Sequence, residues 1–226
     1  MKTAAFYQED LAVLHNTHYS QLSEAAAALL LQKLRERDIL SGTVIDLGCG
    51  SGTLAKVMAD AGYDTIGVDC SEPMLEIARV RSPETSFLNA SLWDYQPPRC
   101  VAITAVGEVI NYASDGKNTD TNIERLFQKC FHCLKPGGIL LFDFIAPGIL
   151  NGKTRDKRVM SRDGWTTIVD YRENKVEHEL TRDITLFREM TAEIYRKSRE
   201  IHRVRLFEST FLQNILNGTG FKTAAL

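Results

Sequence analysis

Residues Thr43 to Thr53 read TVIDLGCGSGT, a β-branched and apolar run that stops at an acidic residue and turns through three glycines into AKVMADAGY, a helical pattern. Gly48, Gly50 and Gly52 can take positive φ and leave no Cβ in the way. A bulky ligand can therefore lie against bare backbone where a strand becomes a helix. Asp69 closes a second short apolar run, TIGVD, 23 residues beyond Asp46. An acidic residue about 20 positions after such glycines suits a ribose diol. The chemistry implied is nucleotide binding beside a reacting centre. Groups able to move a proton there are few: Glu108, in AVGEVINY, and the histidines, above all His202 in REIHRVRLFE and His15 and His18 near the N-terminus.

The glycine spacing selects among nucleotides. A pyrophosphate-binding turn usually reads GxGxxG, whereas this chain has GxGxG with Asp46 two residues ahead of the first glycine. That pattern resembles the first motif of class I S-adenosylmethionine-dependent methyltransferases. GVDCSEPMLEIA at 67 to 78 is similar to the family's second-strand and adenine-side segment, and LKPGGILLFDF at 134 to 144 to its fifth strand, so that three ordered motifs span roughly residues 40 to 145. The resemblance implies S-adenosylmethionine as cofactor. Asp46 and the backbone of Gly48, Cys49, Gly50 and Gly52 then serve the methionine end, Asp69 the ribose hydroxyls, and Cys70 and Met74 the adenine. Met74 on a helix reads equally as a core residue. Where the family often has an acidic residue after strand three, FLNASLWD offers Ser91, so the adenine amino group or ring nitrogen would meet Ser91 or the backbone N–H of Leu92. Asp94 is a weaker substitute, and a serine there also reads as a turn cap.

The elements that must position these residues follow from periodicity. Strands are expected at 43–47, 65–69, 85–88, 100–106 and 138–144, alternating with helices at 53–61, 73–80 and about 119–134. This alternation argues for an α/β, Rossmann-like, doubly wound, mainly parallel sheet with helices on both faces. CVAITAV is apolar enough to be buried on both faces. Ligands in such sheets bind beyond the carboxyl ends of the strands, so Asp46, Asp69, Ser91, Gly107, Glu108 and Phe144 to Pro147 should ring one crevice. Residues 1–42 read as an N-terminal helical cover and 43–147 as the cofactor core. Segment 148–208 reads as an antiparallel β lid with one face in water, and 209–226 as a return to the core, with a helix at 209–217 and a strand beginning FKTAAL. A sheet ending there is one or two strands short of the family's seven, and its open edge would favour pairing into a homodimer.

Composition bounds the partners. The 226 residues are 44% hydrophobic, enough for one sizeable core, and carry 27 basic against 29 acidic residues. That balance offers no general attraction for nucleic acid or anionic membrane. Arg196, Lys197, Arg199, Arg203 and Arg205 cluster, but Glu193, Glu200 and Glu208 interleave with them, which reads as a water-facing surface. The longest strongly apolar stretch, Ala25 to Leu31, is far shorter than the about 20 residues of a membrane span, and no signal pattern opens the chain. A cytoplasmic location is expected. Five dispersed cysteines do not make an extracellular disulfide framework. Cys130 and Cys133 have CxxC spacing, yet no second ligand pair exists, and Leu126, Phe127, Cys130 and Cys133 share one apolar helical face, so no metal is expected.

Methyl transfer needs a positioned, unprotonated nucleophile in a dry site. The acceptor expected is a small molecule methylated on nitrogen or oxygen. AVGEVINY follows strand four, where the resemblance implies contact with both the methionine moiety and the acceptor, so Gly107 and Glu108 are expected at the cofactor too. Glu108 could hold an amine or take a proton, and otherwise only caps its loop; Asn111 and Tyr112 could orient the acceptor. His202 lies where the chain resembles sugar-amine N-methyltransferases, in which a histidine enters the acceptor pocket. His18, Tyr19 and Tyr7 on the N-terminal cover are further candidates, and His178 is expected in solvent. Competing readings are a nicotinamide-dependent oxidoreductase and a cofactor-binding protein without turnover.

Overall fold

A computed structural model describes residues 7–18, 20–113 and 116–224, at residue 18 the backbone alone. Two helices come first, α1 (Glu9–His18) and α2 (Gln21–Arg35). In α2, alanine, leucine and glutamine supply strong helix propensity, and Ala27, Leu30 and Leu34 fall on one buried stripe. The core then alternates β1 (Thr43–Leu47), α3 (Thr53–Asp60), β2 (Asp64–Asp69), α4 (Glu72–Arg81), β3 (Ser86–Asn89), β4 (Cys100–Ala105), a 3-10 turn (Val109–Asn111), α5 (Asp120–Cys133) and β5 (Leu134–Phe142). These five strands form one parallel sheet in the order β3-β2-β1-β4-β5.

Alternate residues of the central strands feed two cores. Ile45, Leu47 and Ile103 pack with Phe127 of α5 on one face, while Val44 and Ala102 pack with Leu30, Leu34, Leu54 and Met58 of α2 and α3 on the other. Every residue of β4 is buried, as its unbroken apolar run requires of a strand covered on both sides. Caps set the helix starts. Ser71 Oγ accepts the Met74 N–H at the head of α4, and Thr119 Oγ1 accepts the Asn122 N–H at the head of α5.

Beyond β5 the chain builds a separate antiparallel sheet, β6 (Arg155–Arg162), β7 (Trp165–Asn174), β8 (Glu179–Thr191) and β9 (Ile194–Arg205), in that spatial order. Asp163 and Gly164 link β6 to β7 with φ of 51° and 78°, the two-residue hairpin that Asp-Gly favours. Leu11 and Leu14 of α1 pack against Ile184 and Leu186 of β8, which ties the N-terminal helix to this sheet. The segment after β4 meets β9 in a bridge between Tyr112 and Val204, and Asn111 fastens that segment to both Ile145 and Arg205. Its Nδ2 donates to the carbonyls of Ile145 and Arg205 at 3.1 and 2.6 Å, and its Oδ1 accepts the Ile145 N–H at 3.1 Å.

The end of the chain departs from expectation. Helix α6 (Ser209–Thr219) closes on Gly220 at φ 107°, and the N–H of Phe221 turns back to the Leu216 carbonyl at 3.0 Å. The Phe221 ring meets Phe131 at 5.1 Å. With its donor and its side chain both committed, Phe221–Ala224 is not the strand that FKTAAL predicts. None of the described helices is long and apolar enough to cross a membrane.

Candidate functional site

A cavity of about 860 Å³ opens beyond the carboxyl ends of β1, β2 and β4, with β7, β8 and β9 forming its far wall. Its size lies within the range of small-molecule sites. The near half is built by the β1–α3 turn. The N–H groups of Gly48 and Cys49 both reach the Val68 carbonyl, at 2.7 and 3.1 Å, and Gly48 and Gly50 sit at φ 68° and 52°. A Cβ at Gly48 would stand 2.4 Å from Val109, so that glycine is demanded by packing. At Gly50 the nearest atom would be Met74 Cε at 3.5 Å, so its missing side chain leaves open wall. Gly52 does a different job: it lies off the wall, and a Cβ there would press within 2.9 Å of Ala78, so it permits α3 to approach α4.

Asp69 is held by the turn it serves. Its Oδ2 accepts the Gly50 N–H at 2.9 Å and its Oδ1 the Ser71 N–H at 2.8 Å, which aims the carboxylate along the wall while leaving lone pairs for a diol. Burial raises its pKa, against the pull of the backbone N–H groups of Ser71, Gly50 and Cys70. Cys70, Met74, Ser91 and Leu92 continue the same half, with Trp93 beside them. Ser91 also acts as a turn cap, its Oγ accepting the Trp93 N–H at 3.4 Å. Asp46 stands behind the turn, 3% exposed and off the wall, with Thr104 Oγ1 donating to it at 2.6 Å. Burial pushes its pKa up to about 7, although the Thr104 bond opposes this. Asp94 is at the surface in an ion pair with Lys117. A bare-backbone turn, an oriented carboxylate and a flanking apolar slot fit a nucleoside with a small charged tail.

The far half is supplied by both sheets and the N-terminal segment. Gly107 and Glu108 turn at φ 97° and 61°, and both N–H groups donate to Asp143 Oδ1 at 2.8 Å. Glu108 Oε2 receives Arg182 Nη2 at 2.6 Å. Tyr171, Arg182 and His202 stand opposite one another across β7, β8 and β9, so their side chains share the face that lines the cavity. His202 is 1% exposed, and its Nε2 lies 2.9 Å from Glu200 Oε2. Glu200 also accepts the N–H groups of Tyr7 and Gln8, at 2.8 and 2.9 Å. Ser71 Oγ in turn donates to the Tyr7 carbonyl at 2.8 Å, so residue 7 is strapped across the mouth between the two sheets. The Tyr7 and Tyr112 hydroxyls meet at 2.8 Å, with the His202 ring 5.2 and 5.8 Å from theirs. Burial first, then Tyr112, raises the Tyr7 phenol well above its usual pKa, and burial lifts Tyr112 to about 12, so both stay protonated. Burial, reinforced by His202, pushes His15 down to about 4 and keeps it neutral.

Several expected site residues are not brought together here. Tyr19 and the His18 side chain lie outside the described residues. Asn111 faces backbone between the sheets rather than the cavity, and Phe144 to Pro147 are off the wall, with Ile145 buried against Leu180 and Val204. His178 is half exposed in the β7–β8 turn. Glu200, read from sequence as water-facing, is 7% exposed and binds His202 and the strap, because residues 200, 202 and 204 share the inner face of β9. No motif in the sequence marks Arg182, Glu200 or Asp143 as site residues. A signal for Arg182 existed: it interrupts the otherwise apolar face of Leu180, Ile184 and Leu186. Cys130 and part-buried Cys133 pack in α5, and the described residues contain no group of three side chains able to hold a metal.

Comparison with known proteins agrees with this geometry. The methyltransferase domain family matches residues 44–138. YqeM of Bacillus subtilis, whose name assigns it to the methyltransferases, is 25% identical over 229 residues, covering 97% of this chain and 85% of its own. A ubiquinone biosynthesis O-methyltransferase of Idiomarina loihiensis is 31% identical over 106 residues, 44% of this chain and 40% of that protein. Among solved structures, an S-adenosylmethionine-dependent methyltransferase from Clostridium acetobutylicum superposes with a TM-score of 0.79 at 17% identity, covering 93% and 86% of the two chains. The sugar N-methyltransferase KedS8 from Streptoalloteichus does so at 0.72 and 20%, covering 96% and 85%. With the turn, the carboxylate and the parallel sheet in place, the sequence and structural likenesses together support a class I S-adenosylmethionine-dependent methyltransferase.

Proposed function

We propose that this enzyme methylates a nitrogen or oxygen of a small-molecule acceptor, with an amine favoured. The observation that carries the reading is that one continuous cavity joins the glycine turn to an aromatic chamber lined by Tyr7, Tyr112, Tyr171 and His202, with buried Glu200 behind the imidazole. Bound at the turn, the cofactor supplies a methyl group already activated on a sulfonium; the protein positions and deprotonates. Asp69 and the backbone of Gly48, Cys49 and Gly50 hold the nucleoside side, with Met74, Ser91 and Leu92 at the adenine and Gly107 on the acceptor side. In the tautomer that donates Nε2–H to Glu200, His202 presents Nδ1 as the proton acceptor. The protonated Tyr7 and Tyr112 hydroxyls orient the acceptor, and the strap at residue 7 with the antiparallel sheet as lid excludes water.

A nucleic-acid acceptor is disfavoured. Arg196 pairs with Asp10, Arg199 with Asp183 at 2.6 Å and Arg205 with Asp120, so the basic cluster is largely neutralised. The dispersed cysteines and the charge balance suit the cytoplasm. The test is S-adenosylhomocysteine release over a panel of amines, phenols and carboxylic acids. Turnover of at least one amine is expected, with His202→Ala lowering kcat while leaving S-adenosylhomocysteine affinity within about twofold. Cofactor binding with no turnover of any acceptor would leave a binding protein instead.

A further inference from the structure

The acceptor end of the cavity carries the Arg182–Glu108 ion pair, and this pair is incompletely satisfied. Arg182 and Glu108 are 17% and 30% exposed along their side chains, and both line the wall. Arg182 sits between Leu180 and Ile184 on the inner face of β8, both buried, so its charge occupies an apolar row. Arginine carries five N–H donors in a planar fork. Here Nη2 serves Glu108, whereas the buried Nε meets no partner. A desolvated donor without an acceptor is costly, and an ion pair placed only for stability is replaceable by apolar side chains. Glu108, for its part, is held at φ 61° by the two N–H bonds to Asp143. A non-glycine residue kept in that region implies that the direction of its carboxylate is worth the strain.

The charges around the pair narrow the ligand. Tyr7 and Tyr112 stay protonated and His15 stays neutral, so the separated charges of Arg182 and Glu108 dominate this part of the wall. A ligand bearing only a cation would take Glu108 and strand a buried guanidinium; one bearing only an anion would strand Glu108. A zwitterion satisfies both. Building on the methyltransferase reading, we propose that the acceptor is an amino carboxylic acid, its carboxylate bound by the Nε and Nη2 fork of Arg182 and its amino group by Glu108, with Tyr7, Tyr112 and Tyr171 against its apolar part. The internal ion pair opens to form two external ones, and the fork of Arg182 gains the acceptor for Nε that it lacks.

The test uses matched trios: phenylalanine with its methyl ester and phenethylamine, and the corresponding tyrosine and leucine sets. Each is titrated calorimetrically into the protein saturated with S-adenosylhomocysteine and assayed for turnover with S-adenosylmethionine. At least one acid should bind more than about tenfold tighter than its ester and its amine. Arg182→Gln should collapse that ratio towards one, and Arg182→Lys, which keeps charge without the fork, should leave it intermediate, with S-adenosylhomocysteine binding certifying that each variant is folded. Acids that bind no better than their esters in the parent protein, or a preference that survives in both variants, would overturn the assignment. Turnover confined to amines that lack a carboxylate would overturn it too, with the methyltransferase reading intact. Absence of turnover by every acceptor class would instead remove the reading on which it rests.

Discussion

Gly48 and Gly50 lie two residues apart in one turn, both at positive φ, yet alanine should act on them in different ways. An L-residue in the left-handed region costs roughly 1–2 kcal/mol, offset by about 0.4–1 kcal/mol from the stiffer unfolded chain. At Gly50 the added methyl would find only Met74 Cε at 3.5 Å, an ordinary contact. The fold should therefore lose about 1 kcal/mol, or about 2–4 °C in Tm for a chain of this size. At Gly48 the methyl would lie 2.4 and 2.5 Å from the two Val109 methyl groups. Overpacking of this kind adds roughly 1–3 kcal/mol, so the loss should reach about 2–4 kcal/mol. Cofactor affinity should reverse the order of specific damage. The Gly50 methyl points into the cavity wall, where crowding a ligand by the same 1–3 kcal/mol weakens binding roughly 5- to 150-fold. Differential scanning calorimetry and S-adenosylhomocysteine titration of both variants separate the two effects. If Gly50→Ala binds S-adenosylhomocysteine within twofold of the parent, or if Gly48→Ala is no less stable than Gly50→Ala, the assignment of bare wall to one glycine and packing to the other is wrong.

Two further outcomes are expected. Glu200→Gln puts an amide where a buried carboxylate accepts from Tyr7, Gln8 and His202. Hydrogen exchange at the amides of residues 7 and 8 should accelerate at least about tenfold and turnover should fall, with S-adenosylhomocysteine affinity held; unchanged exchange at both amides would count against the strap. His15 is pushed down to about 4, below its unfolded value of about 6.5, so its contribution is fully present above pH 6.5 and lost as pH falls towards 4. His15→Gln should flatten the decline of Tm in that window, by up to roughly 3 kcal/mol of pH-dependent stability, and equal slopes in variant and parent would disprove it.

The cofactor half was legible because its signals are local. A β-branched run, a glycine turn and a carboxylate closing the next strand are all read within about 25 residues, and the turn forms from its own backbone bonds to Val68 and Asp69. The acceptor half was legible only in part, since its wall depends on register between strands far apart in sequence. His202 stands out only through the resemblance to sugar-amine N-methyltransferases, and its partner Glu200 reads as solvent-facing because nothing local shows that β9 turns residues 200, 202 and 204 inward. The strap at residue 7 is joined to a residue 193 positions away, which no local pattern announces. FKTAAL has strand composition, but the helix cap at Gly220 and the contact of Phe221 with Phe131 outweigh it.

The row-by-row pairing of β7, β8 and β9 gives this enzyme a divided surface for evolutionary change. Tyr171, Arg182 and His202 form one rung, and Val169, Ile184 and Glu200 the next, while the intervening Asp170, Asp183 and Ile201 form a rung on the opposite face. Asp170 and Asp183 there engage Arg155 and Arg199. Substitutions at every second position can thus redraw what the chamber accepts without touching the outward ion pairs or the glycine turn across the cavity. Catalysts sharing this scaffold can drift in substrate while retaining a common methyl donor.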